Sequence, residues 1–378
     1  MMAAGEILDK DNRSSKDNWS SCKNILCIRA DNMGDLLMSS PAIAAVKETI
    51  GCKITVLTSS SAAGVARLIP EIDDVIIAAL PWVGAGPDCG PAELQKLIAL
   101  VQERQFDGCI IFNVYSQQIL PTAMLAYLAG IPLRLAYCRE NPYHLLSSWF
   151  PDPEPYFYID HQVKRDLNLV RMIGAITNDE SLRLSLNPSV RDGLCAKLKA
   201  MGIEPARPVI IMHPGVSEEK RKYPVELWIA TGLKLLSELP DVQLLLSGSA
   251  GEEEEALYIA NGIGDAAFSV AGALHLEEFA TLISISEMVI SVNTGTIHLS
   301  AALKKRVVVL YAQTNPQHSP WMTEYELLEY SVPKELQSRN QVIRFVNEKY
   351  YPGTTAPPAP EDVVRSVKEL LFQAYLMR

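Results

Sequence analysis

The sequence predicts two α/β domains, each a parallel sheet covered by helices. Three observations carry this reading. The chain has 378 residues, too many for one ordinary core of roughly 100–200. Short β-branched runs alternate with amphipathic stretches of helical length. The alternation lapses in the middle of the chain and then restarts.

In chain order, residues 1–22 are polar, lack the hydrophobic core of a signal peptide and read as a flexible tail. Asn24–Arg29 (NILCIR) is a buried strand, and 35–49 a helix that Pro41 should kink or restart. Strands follow at Lys53–Leu57, Val75–Ala78 and Asp107–Phe112, with helices at 91–104 and 117–129. The Pro- and aromatic-rich stretch 140–160 breaks the pattern. Residues 162–173 are helical, a short strand is expected near 182–186, and a helix begins near 188.

The second alternation has strands at Val209–Met212, Val242–Leu246, Met288–Ser291 and Arg306–Tyr311. Helices are expected at 224–238, 251–261, 275–286, 294–303 and 362–376. The domain limits are 23–190 and 208–350, with a linker at 191–207 and a terminal helix within 360–378.

Composition excludes several function classes. The net charge of −10 argues against a nucleic-acid binder, which needs phosphate-neutralising Lys and Arg. Seven scattered cysteines without a CxxC pair give neither a disulfide framework nor a zinc site, and fit a reducing cytosol. No apolar run reaches the ~18–20 residues that cross a bilayer.

In open α/β sheets ligands bind outside the carboxyl ends of the strands, so the loops there are the candidates. After the first strand stand Arg29, Asp31, Asn32, Gly34 and Asp35. Asp35, at a helix start, reads as a cap or as a general base; spacing alone favours the cap. After VIIM comes His213-Pro-Gly215, followed by Lys220, Arg221 and Lys222 beside a helix N-terminus. Three consecutive cations there are either a solvated charge run or counter-charge for a diphosphate.

After VQLLL, Gly248 and Glu252 can hold a nucleoside, or Glu252 simply favours the first helical turn. After MVIS, Asn293-Thr294-Gly295-Thr296-Ile297-His298 opens a helix whose backbone N–H groups form an anion site by geometry. Thr294 can equally be a cap and His298 a packing residue. The turn Tyr311-Ala312-Gln313-Thr314-Asn315 is a weaker candidate rim.

Taken in order, four segments resemble the heptosyltransferase family, glycosyltransferase family nine. They are ILCIRADNMGDLLMSSPAIAAVK, HPGVSEEKRKYPVELW, LLLSGSAGEEEEA and the long block VAGALHLEEFATLISISEMVISVNTGTIHLSAALKKRVVVLYAQTNP. The resemblance implies a GT-B fold, two facing Rossmann-like domains, with the last helix packing back on the first domain. It implies an inverting transfer of a sugar, typically heptose from ADP-heptose, to a glycan acceptor such as lipopolysaccharide inner core.

Asp35 falls on the family's general base, with Arg29, Asp31, Asn32 and Gly34 on the acceptor side. His213, Gly215, Lys220, Arg221, Lys222, Gly248, Glu252, Asn293, Thr294, Gly295, Thr296 and His298 fall on the donor side. No metal and no cofactor beyond the nucleotide sugar are implied, and the setting is cytoplasmic, with a peripheral place on the inner membrane face left open.

Two departures stand out. Arg221 occupies the family's usual Lys position, and Asn293 replaces the Asp of its D-T-G-x-x-H block. Asn removes a negative charge near the donor, so a different nucleotide sugar, a non-lipopolysaccharide acceptor or a non-catalytic sugar-nucleotide binder remain alternatives. Arg134, Arg139 and Lys164 are candidate contacts for an anionic acceptor, or solvated surface charges.

Overall fold

The computed structural model describes residues 18–84 and 89–376. The chain divides at Ser185 and Leu186 into two compact units. In the first, strands β1 (Asn24–Arg29), β2 (Lys53–Thr58), β3 (Asp74–Ile77), β4 (Gly108–Ile111), β5 (Leu133–Cys138) and β6 (Ser148–Pro151) form one parallel sheet in the order 3-2-1-4-5-6. In the second, β7 (Val209–His213), β8 (Gln243–Leu246), β9 (Ala267–Ser269), β10 (Met288–Val292), β11 (Arg306–Ala312) and β12 (Tyr325–Tyr330) form another. Its order, β12-β11-β10-β7-β8-β9, repeats that of the first sheet. Both units are therefore Rossmann-like, and each sheet reverses direction of growth at one point, between β1 and β4 and between β7 and β10.

The central strands are apolar because helices cover both sheet faces. Ile25, Leu26, Cys27 and Ile28 of β1 are all buried, paired with β2 on one side and β4 on the other. Helix α1 (Met33–Ile50) returns across this sheet with twelve of its 18 residues buried. Pro41 neither kinks nor restarts it: the helix runs unbroken. Proline removes the donor that Leu37 O would otherwise receive, and the Ser40 hydroxyl supplies it instead, at 2.6 Å. Gly51, with φ +69°, ends the helix and donates to Lys47 O; that left-handed conformation favours glycine.

Some expectations are corrected. Residues 1–17 of the expected flexible tail lie outside the described residues. Residues 18–22 are ordered: 18–20 form a helical turn, and Trp19 is fully buried. Its ring lies so close to Gly108 that a Cβ there would stand 2.6 Å from Trp19 Cζ3. Residues 191–207 are not a linker. Helix α2 (Val190–Ala200) belongs to the second unit, where Lys197 pairs with Glu278 at 2.9 Å and Leu194 and Leu198 are buried. The strand expected near 182–186 does not form: among the described residues this segment belongs to neither sheet.

The final helix α3 (Pro360–Leu376) belongs to the second unit's core, correcting the expectation that it packs back on the first domain. It buries Val363, Val364, Val367 and Leu370. At its exposed edge Lys368 pairs with Glu238 at 2.7 Å and Glu361 with Lys234 at 3.2 Å. Among the described residues no helix is long and apolar enough to cross a membrane. Five of the seven cysteines are buried, while Cys89 and Cys195 are partly exposed. Burial pushes the Cys27 and Cys109 thiols well above the usual thiol range.

Trp19 fills space beneath a core strand, so Trp19→Ala is expected to cost about 3–5 kcal/mol. A urea denaturation midpoint unchanged from wild type would refute that role.

Candidate active site

In the first unit the switch point is built around a buried arginine. Arg29 ends β1 with no exposed surface. Its Nε lies 3.1 Å from Asp31 Oδ2, and its Nη2 lies 3.1 Å from Asp35 Oδ1. Asp35 stands at the third position of α1, and its other oxygen accepts from the Asn32 backbone N–H at 3.2 Å. The carboxylate therefore caps the helix, as the spacing favours, and pairs with Arg29 at once. Gly34 is buried in the same turn.

Asp31 also accepts a hydrogen bond from Gln117 Nε2. Burial holds the Asp31 carboxyl above its ordinary range, with Arg29 opposing. A crevice opens here, lined by Ala30, Asp31, Val83, Asn113, Gln117 and Thr122.

Residues that sequence reasoning passed over lie beneath this turn. Helix α4 (Gln162–Arg171) turns Gln162, Arg165 and Asp166 inward, all buried. Gln162 Nε2 and Arg165 Nε both donate to Asn113 O, at 3.3 and 3.1 Å. Ser39 Oγ lies 2.6 Å from Asp166 Oδ2. Charged residues in an amphipathic helix read as its solvated face, so no sequence signal marked them. Arg134 and Arg139 are occupied by loop carbonyls. Arg134 donates to Leu145 O and His144 O at 2.7 and 2.8 Å, and Arg139 to Glu154 O at 3.0 Å. Lys164 is exposed.

The second unit's switch point gathers an imidazole, an amide, one guanidinium and the carboxylate of Glu252. His213 ends β7; its Nδ1 lies 3.0 Å from Ser247 Oγ and its ring packs on Phe279. Burial lowers the imidazole pKa to about 4, against the opposing charge of Glu252, so the ring is neutral at physiological pH. The Glu252 carboxylate lies against Gly215, where a Cβ would stand 2.5 Å from Oε2, and it accepts from Ser249 N and Oγ at 2.6 and 2.8 Å. A Cβ on Gly248 would meet Glu252 Cβ at 3.1 Å. The two glycines thus make room for one carboxylate.

The structure separates the three consecutive cations. Lys222 pairs with Glu255 at 2.6 Å, and Lys220 pairs with Glu218. Arg221 alone reaches the fourth loop: its Nη1 donates to Asn293 O at 3.1 Å, and its Nη2 to Glu218 Oε1 at 3.1 Å. The expected triple cluster is thereby divided: all three cations pair with a glutamate, and of the three Arg221 is the one bonded to the fourth loop. Thr294 precedes helix α5 (Gly295–Ala302), which opens at Gly295 and Thr296 with His298 buried one turn in. Among the described residues no group of three or more His, Cys, Asp or Glu is placed to hold a metal ion.

Asn293 uses both ends of its amide. Nδ2 donates to Ala312 O at 3.1 Å and to Thr314 Oγ1 at 3.0 Å, while Oδ1 accepts from Ala312 N at 3.2 Å. It ties the end of β10 to the end of β11. A carboxylate can keep the accepted bond but cannot donate to Ala312 O. Asn293→Asp is therefore expected to destabilise the chain by about 1–3 kcal/mol, read as a lower urea midpoint at neutral pH; a variant as stable as wild type would contradict the tie.

These features have counterparts in known proteins. A family model described as glycosyltransferase family 9 (heptosyltransferase) matches residues 94–343. A putative glycosyltransferase of Haemophilus influenzae is 25% identical, over 76% of this chain and 82% of its own length. The lipooligosaccharide heptosyltransferase 2 of the same organism is 23% identical, over 92% of this chain and 99% of its own. Among solved structures, a family 9 glycosyl transferase from Veillonella parvula superposes with a TM-score of 0.73 at 14% identity, covering 93% of this chain and 97% of that one. The ADP-heptose lipopolysaccharide heptosyltransferase II of Escherichia coli gives 0.70 at 20% identity, covering 93% and 99%. Two parallel six-stranded sheets with flanking helices, as in these GT-B structures, are the fold, and with more than half of its length matched the chain belongs to glycosyltransferase family 9.

Proposed function

We propose that the chain is an inverting glycosyltransferase that moves heptose from ADP-heptose to a glycan or glycolipid hydroxyl, such as lipopolysaccharide inner core, without a metal or other cofactor. The observation that carries this is Asp35, a partly accessible carboxylate held by a buried arginine at the switch point of the first sheet. That is a fixed proton acceptor at the place where an α/β sheet binds its ligand.

In this reading the Asp35 carboxylate takes the proton from the acceptor hydroxyl as its oxygen attacks the anomeric carbon. The bond from that carbon to the phosphate oxygen breaks on the opposite face, and configuration inverts. The nucleoside diphosphate leaves with its charge. The guanidinium of Arg221 and the N–H groups at Thr294, Gly295 and Thr296 offset that charge. His213, neutral at the end of β7, and Gly215, Gly248 and Glu252 shape the nucleoside side. Lys220 and Lys222, each paired with a glutamate, add field and not contact. Arg29, Asp31, Asn32 and Gly34 fix the acceptor turn. The reaction belongs in the cytoplasm, with the chain free or peripheral at the inner membrane face.

A second reading rests on Asn293, whose amide stands where the family resemblance places a carboxylate: a donor other than ADP-heptose. A thermal-shift screen of nucleotide sugars, followed by mass analysis of products, separates the two. ADP and ADP-heptose are expected to raise the melting temperature while UDP- and GDP-sugars leave it unchanged; the opposite pattern overturns the donor assignment.

The base assignment has its own test. Asp35→Asn should lower turnover by about 10²–10⁴-fold and leave donor binding intact by calorimetry. Wild-type turnover in that variant would remove the base from Asp35.

A further inference from the structure

We propose that Glu218 sets the affinity of the donor site. Its carboxylate stands in for a phosphate on Arg221, and the nucleoside diphosphate must displace it to bind. This rests on the reading that Arg221 faces the leaving diphosphate.

A guanidinium holds a two-oxygen anion along one edge, with two parallel N–H groups. The edge of Arg221 that carries Nε and Nη2 is half used. Nη1 is committed to Asn293 O at 3.1 Å, and Nη2 donates to Glu218 Oε1 at 3.1 Å. Nε is buried and has no hydrogen-bond partner among the described residues. The cause is local. Glu218 lies three residues before Arg221, and its other oxygen is drawn to Lys220. One carboxylate is thus divided between two cations and does not lie along the fork. Thr294 Oγ1, one residue after the Asn293 carbonyl that Arg221 binds, is also buried without a partner among the described residues. Buried polar groups are almost always paired. Both of these atoms can donate, so they point to an oxygen-rich ligand. A phosphate brings enough oxygens to meet Nε and Nη2 together.

Of the two partners of Arg221, Glu218 is the one that can yield. Asn293 O is backbone at the end of β10, in a residue whose side chain is bonded to β11. Arg221 is fixed from behind, where the Tyr330 hydroxyl donates to its carbonyl at 2.6 Å. The Glu218 side chain is 40% exposed, against 19% for Arg221, so it returns to water at little cost. Left in place, its charge would repel the diphosphate within a few ångströms. Glu218 therefore weakens binding of a ligand that brings phosphate to Arg221. It also recaptures the guanidinium when the product leaves.

The test is calorimetric titration of the full chain with inorganic pyrophosphate and with ADP, GDP and UDP. Ionic strength is held constant, because salt screens exposed charges. Glu218→Gln keeps the length of the side chain and removes its charge. It is expected to lower the Kd for pyrophosphate, and for whichever nucleoside diphosphate binds, by about 3–10-fold. A residue that merely positioned Arg221 would weaken binding on its removal. An unchanged or raised Kd in Glu218→Gln therefore overturns this proposal alone and leaves the diphosphate site standing. Should that variant not fold, Glu218→Ala carries the same expectation and the same refutation. No binding of any of the four probes, in wild type and variant alike, overturns the diphosphate reading of Arg221 and this proposal with it.

Discussion

The first unit depends on a charge placed where charges are costly. Arg29 ends a strand whose buried residues Ile25, Leu26, Cys27 and Ile28 are apolar, and its guanidinium has no exposed surface. Such a group is stable only when paired, and removing one partner of a buried pair costs about 3–5 kcal/mol. Asp31 and Asp35 follow within six residues because the pairing must be made by the turn that leaves the strand. The turn is thereby fixed to the sheet. The helix it opens begins with Asp35 already bound at both oxygens. A carboxylate bound at both oxygens is held in one orientation.

The same strand order in the two sheets does not bring the same chemistry. In the first unit the switch point gathers carboxylates around one cation. In the second it presents a neutral histidine, a neutral amide, one guanidinium, the carboxylate of Glu252 and the start of a helix. The first set differs from the second in charge and in the groups it exposes at the strand ends. Topology supplies the place in each case, and the residues after β1, β7 and β10 supply the function.

Much of this was legible in the sequence because burial on both faces leaves unbroken apolar runs. β1, β2, β4, β7, β8, β10 and β11 were all readable on that signal. The strands that escaped notice are β5 and the short or edge strands β6, β9 and β12. Residues in β6 alternate between partly buried and exposed, and β9 has only three residues, none buried. Proline at position 41 predicts a kink or restart because the compensating Ser40 hydroxyl bond to Leu37 O depends on one side-chain rotamer that the sequence does not specify. Candidate loops were found from glycine and Asx residues after strands. The inward polar stripe of α4 was not, since periodicity assigns polar residues to water and cannot tell a solvated Asp166 from a buried one.

Arg221 shows how a departure from a family's pattern finds a physical reason. Lysine carries one charged point on a flexible stem, whereas arginine presents a planar fork. Here the fork is used on both sides: Nη1 binds the carbonyl of Asn293 and Nη2 binds Glu218, joining the loop after β7 to the loop after β10. The Tyr330 hydroxyl donates to Arg221 O at 2.6 Å, fixing the backbone from which the fork extends. An ammonium could not span both partners with the same geometry. Asn293 is the other half of this arrangement. Its carbonyl receives Arg221 while its side chain ties β10 to β11. Because the side chain is an amide, the positive charge beside it stays uncompensated by residue 293. The two departures therefore act together: arginine joins the two loops, and the amide at 293 adds no second carboxylate beside the one that Glu218 already supplies.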